Sequence, residues 1–456
     1  MTGNAIVWLR RDLRLADHPA LAAAVARGAA VVPAWIHAPE EEGESAPGAA
    51  ARVFLHGALE SLSEALRARG SRLTVRRGPS VRALIDLARE SGADAVYGQR
   101  VREPALLSRD DDAVAALRAN GVEVHLFEDG TLFPPEATRT ASGGPFRVFT
   151  PFWRRCAAQP PPGPPIPAPA ALRPPARFPD SLALEQLRLL PAVPWDAGIR
   201  EAWPAGEEQA AARLDRFLDG PIASYPADRD RPATRGTSGL SPYLHFGCAS
   251  VRQIWYAVQG RAAVDDMPGA AAGAEAFLRQ LGWREFARHV LSAFPDTVRS
   301  PMRPEFADFP WRDDPEGLDA WRNGRTGYPM VDAGMRQLWA TGWMHNRVRM
   351  IAASFLVKDL LLPWQTGAAW FMDTLADADL ANNTMGWQWV AGCGADAAPY
   401  YRVFNPVLQG VKFDPRGEYV RAWVPELAAL PDRWVHCPWE APAAALSRAG
   451  ITLGKT

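Results

Sequence analysis

The chain has 456 residues, 48% hydrophobic and 22% charged, with a net charge of −1. That length allows two or three domains with large cores. The near-zero charge excludes binding of nucleic acid or membrane by bulk charge alone, so any such partner must meet a local basic patch.

In the first quarter, short apolar runs at residues 5–9, 30–36, 72–75, 93–97 and 122–127 read as strands. The Ala/Leu/Arg-rich stretches near 17–26, 51–69, 80–91 and 105–120 read as the helices between them. That order predicts an α/β domain over 1–128, a five-stranded parallel, Rossmann-like sheet with helices on both faces. No GxGxxG follows the first strand, so the usual dinucleotide fingerprint is absent. From 129 to 206 the pattern fails, and the proline-rich run 160–179 predicts an extended connector over the surface. From 207 to 456 the apolar spacing is helical, which predicts one large all-α domain. Four cysteines without CxxC spacing favour a reduced, cytoplasmic compartment. MTGNAIVWLRRDLR lacks the apolar core of a signal peptide, and no run is long enough to cross a membrane.

The densest signal runs from 341 to 406. Asn346, Arg349, Asp377, Asp379 and Asn383 stand there among Trp364, Trp387 and Trp389. Buried polar groups cost free energy unless paired, so polar groups this dense among aromatics usually surround something polar and flat. The stretch 344–362 is nearly all helix formers. On it Asn346, Arg349, Met350 and Ala353 share a face, and Arg349 must reach solvent, an acid or an anion; Asp377 or Asp379 could be its partner. Trp387 and Trp389 point about 200° apart on a helix. In QLGWREF, Gln280, Trp283 and Ala287 share a second face, opposite Phe277 and Leu281. In RGTSGLSPYLHFG, Ser241 and Pro242 read as N-cap and first helical residue, behind Thr237, Ser238 and Gly239, which predicts a capped helix start able to hold an anion. A plain capped helix, a plain amphipathic interface and a plain core account for these three segments as well when each is taken alone. No metal-ligand spacing, GxSxG elbow or P-loop is present.

Together the segments VWLRRDLRLADHPAL, GTSGLSPYLHFG, WREF, GYPMVDAGMRQL, TGWMHNRVRMIAASFLVKDLL, DADLANN, GWQW and DAAPYYRVFNP resemble the photolyase/cryptochrome family, and within it the microbial class I cyclobutane pyrimidine dimer photolyases. The resemblance covers nearly the whole chain. It implies FAD, folded in a U, inside the helical domain. Tyr225 and Thr237, Ser238, Gly239, Leu240 and Ser241 match the family's phosphate-binding residues. Asn346, Arg349, Asp377, Ala378 and Asp379 match residues lining the flavin, and Asn383 the side chain facing flavin N5, where plant cryptochromes carry aspartate. Arg229, Gln280, Trp283, Arg284, Asn346, Arg347, Met350, Trp389, Arg402 and Gln409 match the substrate pocket and DNA-contact face. Of these, Trp283 and Trp389 would stack on a flipped-out dimer, and the arginines would hold phosphates. Trp387, Trp364 and Trp311 match the electron-transfer triad.

The implied reaction is light-driven repair of UV-damaged DNA by electron transfer from reduced FAD, with no acid–base pair and no metal. The implied protein is a monomer of the bacterial cytosol with no membrane partner. A second chromophore, methenyltetrahydrofolate or 8-hydroxy-deazaflavin, is expected in the N-terminal domain. Glu103 matches the folate type, whereas Arg102 stands where that type has asparagine and His245 where the deazaflavin type has lysine. The chain stops at GITLGKT, before the family's basic tail, which is not expected to build the flavin pocket. Three other readings stand beside this one. The first is a cryptochrome-type blue-light receptor. The second is a (6–4) photolyase, which would want histidine at or near Met350, with His345 close by. The third is a generic nucleotide-binding α/β protein.

Overall fold

The computed structural model describes residues 3–128, 130–135, 137–264, 267–397 and 402–455. Strand β1 (Asn4–Leu9) starts the sheet, followed by α1 (Pro19–Ala26), β2 (Ala30–His37), α2 (Ala49–Arg67), β3 (Thr74–Arg77), α3 (Ser80–Ser91), β4 (Ala93–Gln99), α4 (Pro104–Ala119) and β5 (Glu123–Phe127). The strands lie in the order β3-β2-β1-β4-β5, every pairing parallel. Ile6 of the central strand faces Val32 on one side and Val96 on the other. Helices cover both faces of such a sheet, so its inner strands are apolar without alternation. From Ala5 to Leu9 every residue of β1 is buried. The β3 edge is closed by the connector just past its proline-rich run: Leu182 N–H donates to the Val75 carbonyl at 3.0 Å, and Val75 N–H to Ser181 Oγ at 2.9 Å. A covered edge cannot recruit a foreign strand.

The sheet is bolted to the helical half by the loop after β1. Leu13 N–H donates to the Phe246 carbonyl at 3.1 Å, and the Glu207 carboxylate accepts from Leu15 and Ala16 N–H at 2.8 and 2.9 Å. Gly247, at φ +68°, permits the contact, because a Cβ there would lie 2.1 Å from the Arg11 carbonyl oxygen. One continuous core runs through the joint, from Val7 and Leu9 to Phe246 and Phe277. A second core, around Trp321, Trp364 and Trp387, belongs to the C-terminal helices.

Three local expectations are corrected. The helix expected over 344–362 begins at Asn346, because His345 Nδ1 accepts the Arg347 N–H at 3.2 Å and caps it. It passes into a π-turn at Phe355–Asp359 before ending. Ser241 is not the N-cap of its helix. Leu240 holds that position, and Ser241 is the first residue of the short helix Ser241–His245 with no side-chain cap. The expected connector also holds a helix, Phe149–Ala157, whose Phe149, Phe152 and Cys156 bury one face. Among the described residues no helix is long and apolar enough to cross a membrane.

Candidate functional site

Four helices wall a cavity of about 510 Å³ in the helical half, within the size range of small-molecule and cofactor sites. The helix Ala270–Ala293 contributes Gln280, Trp283 and Arg284, and the helix Asn346–Ser354 contributes Asn346, Arg347, Arg349, Met350 and Ala353. Asp377, Ala378 and Asp379 lie on the loop into the helix Leu380–Ala391, which adds Asn382, Asn383, Trp387 and Trp389. The helix Trp364–Thr374 adds Phe371, and Arg229, just past the helix Pro221–Asp228, stands at the mouth. The polar face read on the Asn346 helix is therefore the face turned to the cavity. Trp387 and Trp389 both reach it, Trp387 buried and Trp389 half-buried.

The charges are placed with little slack. Arg349 Nη2 meets both oxygens of Asp377, at 2.8 and 3.0 Å, and its Nε donates to the Met344 carbonyl at 2.7 Å. Of the two partners open to Arg349, the structure selects Asp377. Asp379 instead caps the next helix, accepting from Asn382 N–H at 2.9 Å, and lies 3.4 Å from Arg288 and 3.6 Å from His245. Burial pushes its carboxyl up, but the contacts with His245, Arg288 and Asn382 outweigh that and hold it well below the usual range. Asn383 Nδ2 donates to the Ala368 carbonyl at 3.0 Å, which leaves Oδ1 as the free acceptor of the amide.

The aromatic residues divide. Trp283 stacks on Phe149 with centroids 3.8 Å apart, which covers one ring face, and its side chain also lines the cavity. Trp387 packs against Phe371 at 5.0 Å and Trp321 at 6.2 Å, and Gly367 makes room for it: a Cβ there would lie 2.1 Å from the indole. Trp364 and Trp387 belong to the second core, and Trp311 packs on its edge.

Other expected residues stand off the cavity wall. Tyr225 is buried against Phe217 and Phe277, linked to the mouth through the Arg229 guanidinium, 5.7 Å from its ring centroid. Thr237, Ser238, Gly239 and Leu240 form the turn before the short helix that Ser241 begins. Gly239 sits at φ +62°, where a Cβ would strike Arg213. Arg402 stacks near Phe404, and Gln409 keeps a buried Oε1 with no hydrogen-bond partner. Ala398–Tyr401 of the DAAPYYRVFNP motif lie outside the described residues. His345 is buried and spent on capping, away from the cavity wall that Met350 helps form.

The residues read for a second chromophore are engaged internally. Glu103 is buried and paired with Arg11 at 2.6 Å, Arg102 pairs with Glu128, and His245 faces Asp379. Burial raises the Glu103 carboxyl, but Arg11 and Arg288 bring it below its ordinary value. Two residues near the site carried no signal in the reading above. Asn382 joins the wall through its bond to Asp379, and Asp230 pairs with Arg347 at the mouth. An Asp-Arg-Asp-Arg run at 228–231 was the visible hint.

FAD is the cofactor the resemblance implies, and the residues present fit it. The cavity offers a buried Trp387 Nε1 without a partner, a free amide acceptor at Asn383 and a guanidinium held in place by Asp377.

Comparison with known proteins agrees with this geometry. Residues 5–170 match the family model described as DNA photolyase, and residues 277–456 the one described as FAD binding domain of DNA photolyase. A deoxyribodipyrimidine photo-lyase of Agrobacterium fabrum is 45% identical over 100% of this chain and 94% of its own. Cryptochrome-1 of Arabidopsis thaliana is 40% identical over 99% of this chain and 67% of its own. A crystal structure described as a bacterial class III photolyase from Agrobacterium tumefaciens superposes with a TM-score of 0.96 at 44% identity, covering 100% of this chain and 93% of that one.

Proposed function

The chain belongs to the photolyase/cryptochrome family, and from that premise we propose that it repairs cyclobutane pyrimidine dimers in DNA under light. The observation that carries the reading is one cavity wall shared by Trp283, Trp389, Met350 and Asn383, with Arg229 and Arg347 at its mouth. When bound, reduced FAD supplies on excitation the electron that opens the cyclobutane ring and takes it back afterwards. The chain's own residues bind, orient and exclude water. Arg349, fixed by Asp377, and the carboxylate of Asp379 hold the flavin edge, with Asn346 and Ala378 alongside. Asn383 offers an acceptor without adding charge. Tyr225 and Thr237 to Ser241 receive the phosphates.

Trp283 and Trp389 give flat apolar faces for a flipped-out dimer, and Met350 fills beside them without a titratable proton. Arg229, Gln280, Arg284, Asn346, Arg347, Arg402 and Gln409 meet the DNA, the arginines reading backbone rather than sequence. Trp387, Trp364 and Trp311 carry electrons from the surface. The chain divides into 1–128, 129–206 and 207–456, works as a monomer in the cytosol, and carries a second chromophore, methenyltetrahydrofolate or 8-hydroxy-deazaflavin. The motifs pointed to class I. The 44% identity and TM-score of 0.96 to a class III enzyme support class III instead.

A blue-light receptor is the second reading, favoured by 40% identity to plant cryptochromes. Binding to irradiated and undamaged duplexes in the dark separates the two. A preference of about a thousandfold or more for dimer-containing DNA is expected of the repair enzyme, on the scale of specific over non-specific binding. Equal affinity contradicts repair.

A further inference from the structure

Two arginines stand at the cavity mouth, and one carboxylate holds both. Asp230 Oδ2 lies 2.8 Å from Arg347 Nη2, and Asp230 Oδ1 lies 3.8 Å from Arg229 Nε. Arg229 and Arg347 line the cavity, whereas Asp230 does not. The other acids nearby have their own partners: Asp377 is held by Arg349, Asp379 by Arg288, and Asp228 faces Arg231. Each guanidinium also lies by an aromatic ring, Arg347 4.5 Å from the Phe413 centroid and Arg229 5.7 Å from that of Tyr225. Both side chains are thus set in place, with one oxygen of a single anion reaching towards each.

We propose that Asp230 is an intramolecular stand-in for a DNA phosphate, which damaged DNA must displace to reach Arg229 and Arg347. This rests on the DNA-repair reading above. A phosphodiester, like a carboxylate, offers two oxygens to two guanidiniums. The side chains of Asp230, Arg229 and Arg347 are 29%, 26% and 18% exposed, and pairs this open to solvent contribute little to folding. The contact is therefore cheap to exchange. It also lowers the electrostatic gain of DNA binding, because the attraction between Asp230 and the two guanidiniums is given up as the phosphate takes its place. Asp230 in this way limits binding at the lesion pocket without touching the lesion.

The test is equilibrium binding of the FAD-loaded full chain to irradiated and undamaged duplexes, in the dark, across a salt series. Asp230→Asn keeps the shape and removes the charge, and Asp230→Ser repeats the test with a different side chain. Both are expected to bind DNA about three- to tenfold tighter at low salt. The gain should shrink as salt screens the Asp230 charge. In an Arg347→Ala background the same substitutions should recover little of that gain. Wild-type affinity at low salt in both variants, at wild-type flavin content and melting temperature, overturns the proposal. An equal gain in the Arg347→Ala background does so too, since it reduces the effect to net charge. If the wild-type chain binds neither DNA, the repair reading itself falls, which is a different result.

Discussion

Arg349 and Asp377 form a two-pronged ion pair in the cavity wall, with Nη2 2.8 and 3.0 Å from the two carboxylate oxygens. The Asp377 side chain is 3% exposed and that of Arg349 23%. Removing the arginine leaves a buried carboxylate without its counter-charge, which is far more costly than losing an exposed pair. Arg349→Ala is expected to destabilise the fold by about 3 kcal/mol, the lower end of the range for buried pairs. It should also purify with less flavin per chain. Chemical denaturation and the ratio of flavin to protein absorbance check both, and wild-type values in each would separate the pair from the cofactor.

The electron-transfer role proposed for Trp387 sets it apart from the residues proposed to hold the flavin. It reaches the cavity, is buried against Phe371 and Trp321, and shares a core with Trp364. Trp387→Phe should abolish photoreduction of oxidised flavin, while the chemically reduced protein still repairs dimers. Photoreduction at the wild-type rate would mean that electrons enter by another path.

His345 predicts an acid sensitivity that is separate from the chemistry. Burial, helped by the guanidiniums of Arg349, Arg347 and Arg229 and opposed by the carboxylate of Asp230, brings its imidazole down to about 4. A histidine lowered on folding binds its proton more readily in the unfolded chain. Its contribution is therefore whole above pH 6.5 and is lost as pH falls towards 4, about 3 kcal/mol over the window. Gln at 345 keeps an acceptor for the Arg347 N–H and removes the titration. The His345→Gln variant should lose less stability between pH 6.5 and 4 than the wild type, measured by urea unfolding at several pH values. Parallel curves would place the acid sensitivity elsewhere.

What could be read in advance followed the range of the interactions. The buried runs of β1, β2 and β4 are nearly continuous apolar segments because helices cover both faces, so the parallel α/β class was visible without a structure, whereas the spatial order of the strands was not. The shared face of Asn346, Arg349, Met350 and Ala353 is a property of one helix and was visible too. The helix Phe149–Ala157 was hidden by its proline-rich surroundings, although Phe149, Phe152 and Cys156 carry helical spacing. Ion pairs between distant segments were beyond reach. Arg349 could be narrowed to two aspartates but not one, and nothing in the sequence joins Asp230 to Arg347 or His245 to Asp379. Such pairings depend on how helices pack, and a single sequence does not show that.

The reading as a repair enzyme rests on a lesion and a reduced flavin meeting in the cavity between Trp283, Trp389 and Asn383. The most direct measurement mixes FAD-loaded, fully reduced protein with a dimer-containing oligonucleotide and follows the dimer in blue light and in darkness. Loss of the dimer in light alone, with intact pyrimidines restored, is the predicted result. Unchanged dimer under light, with flavin fully bound and reduced, would contradict it.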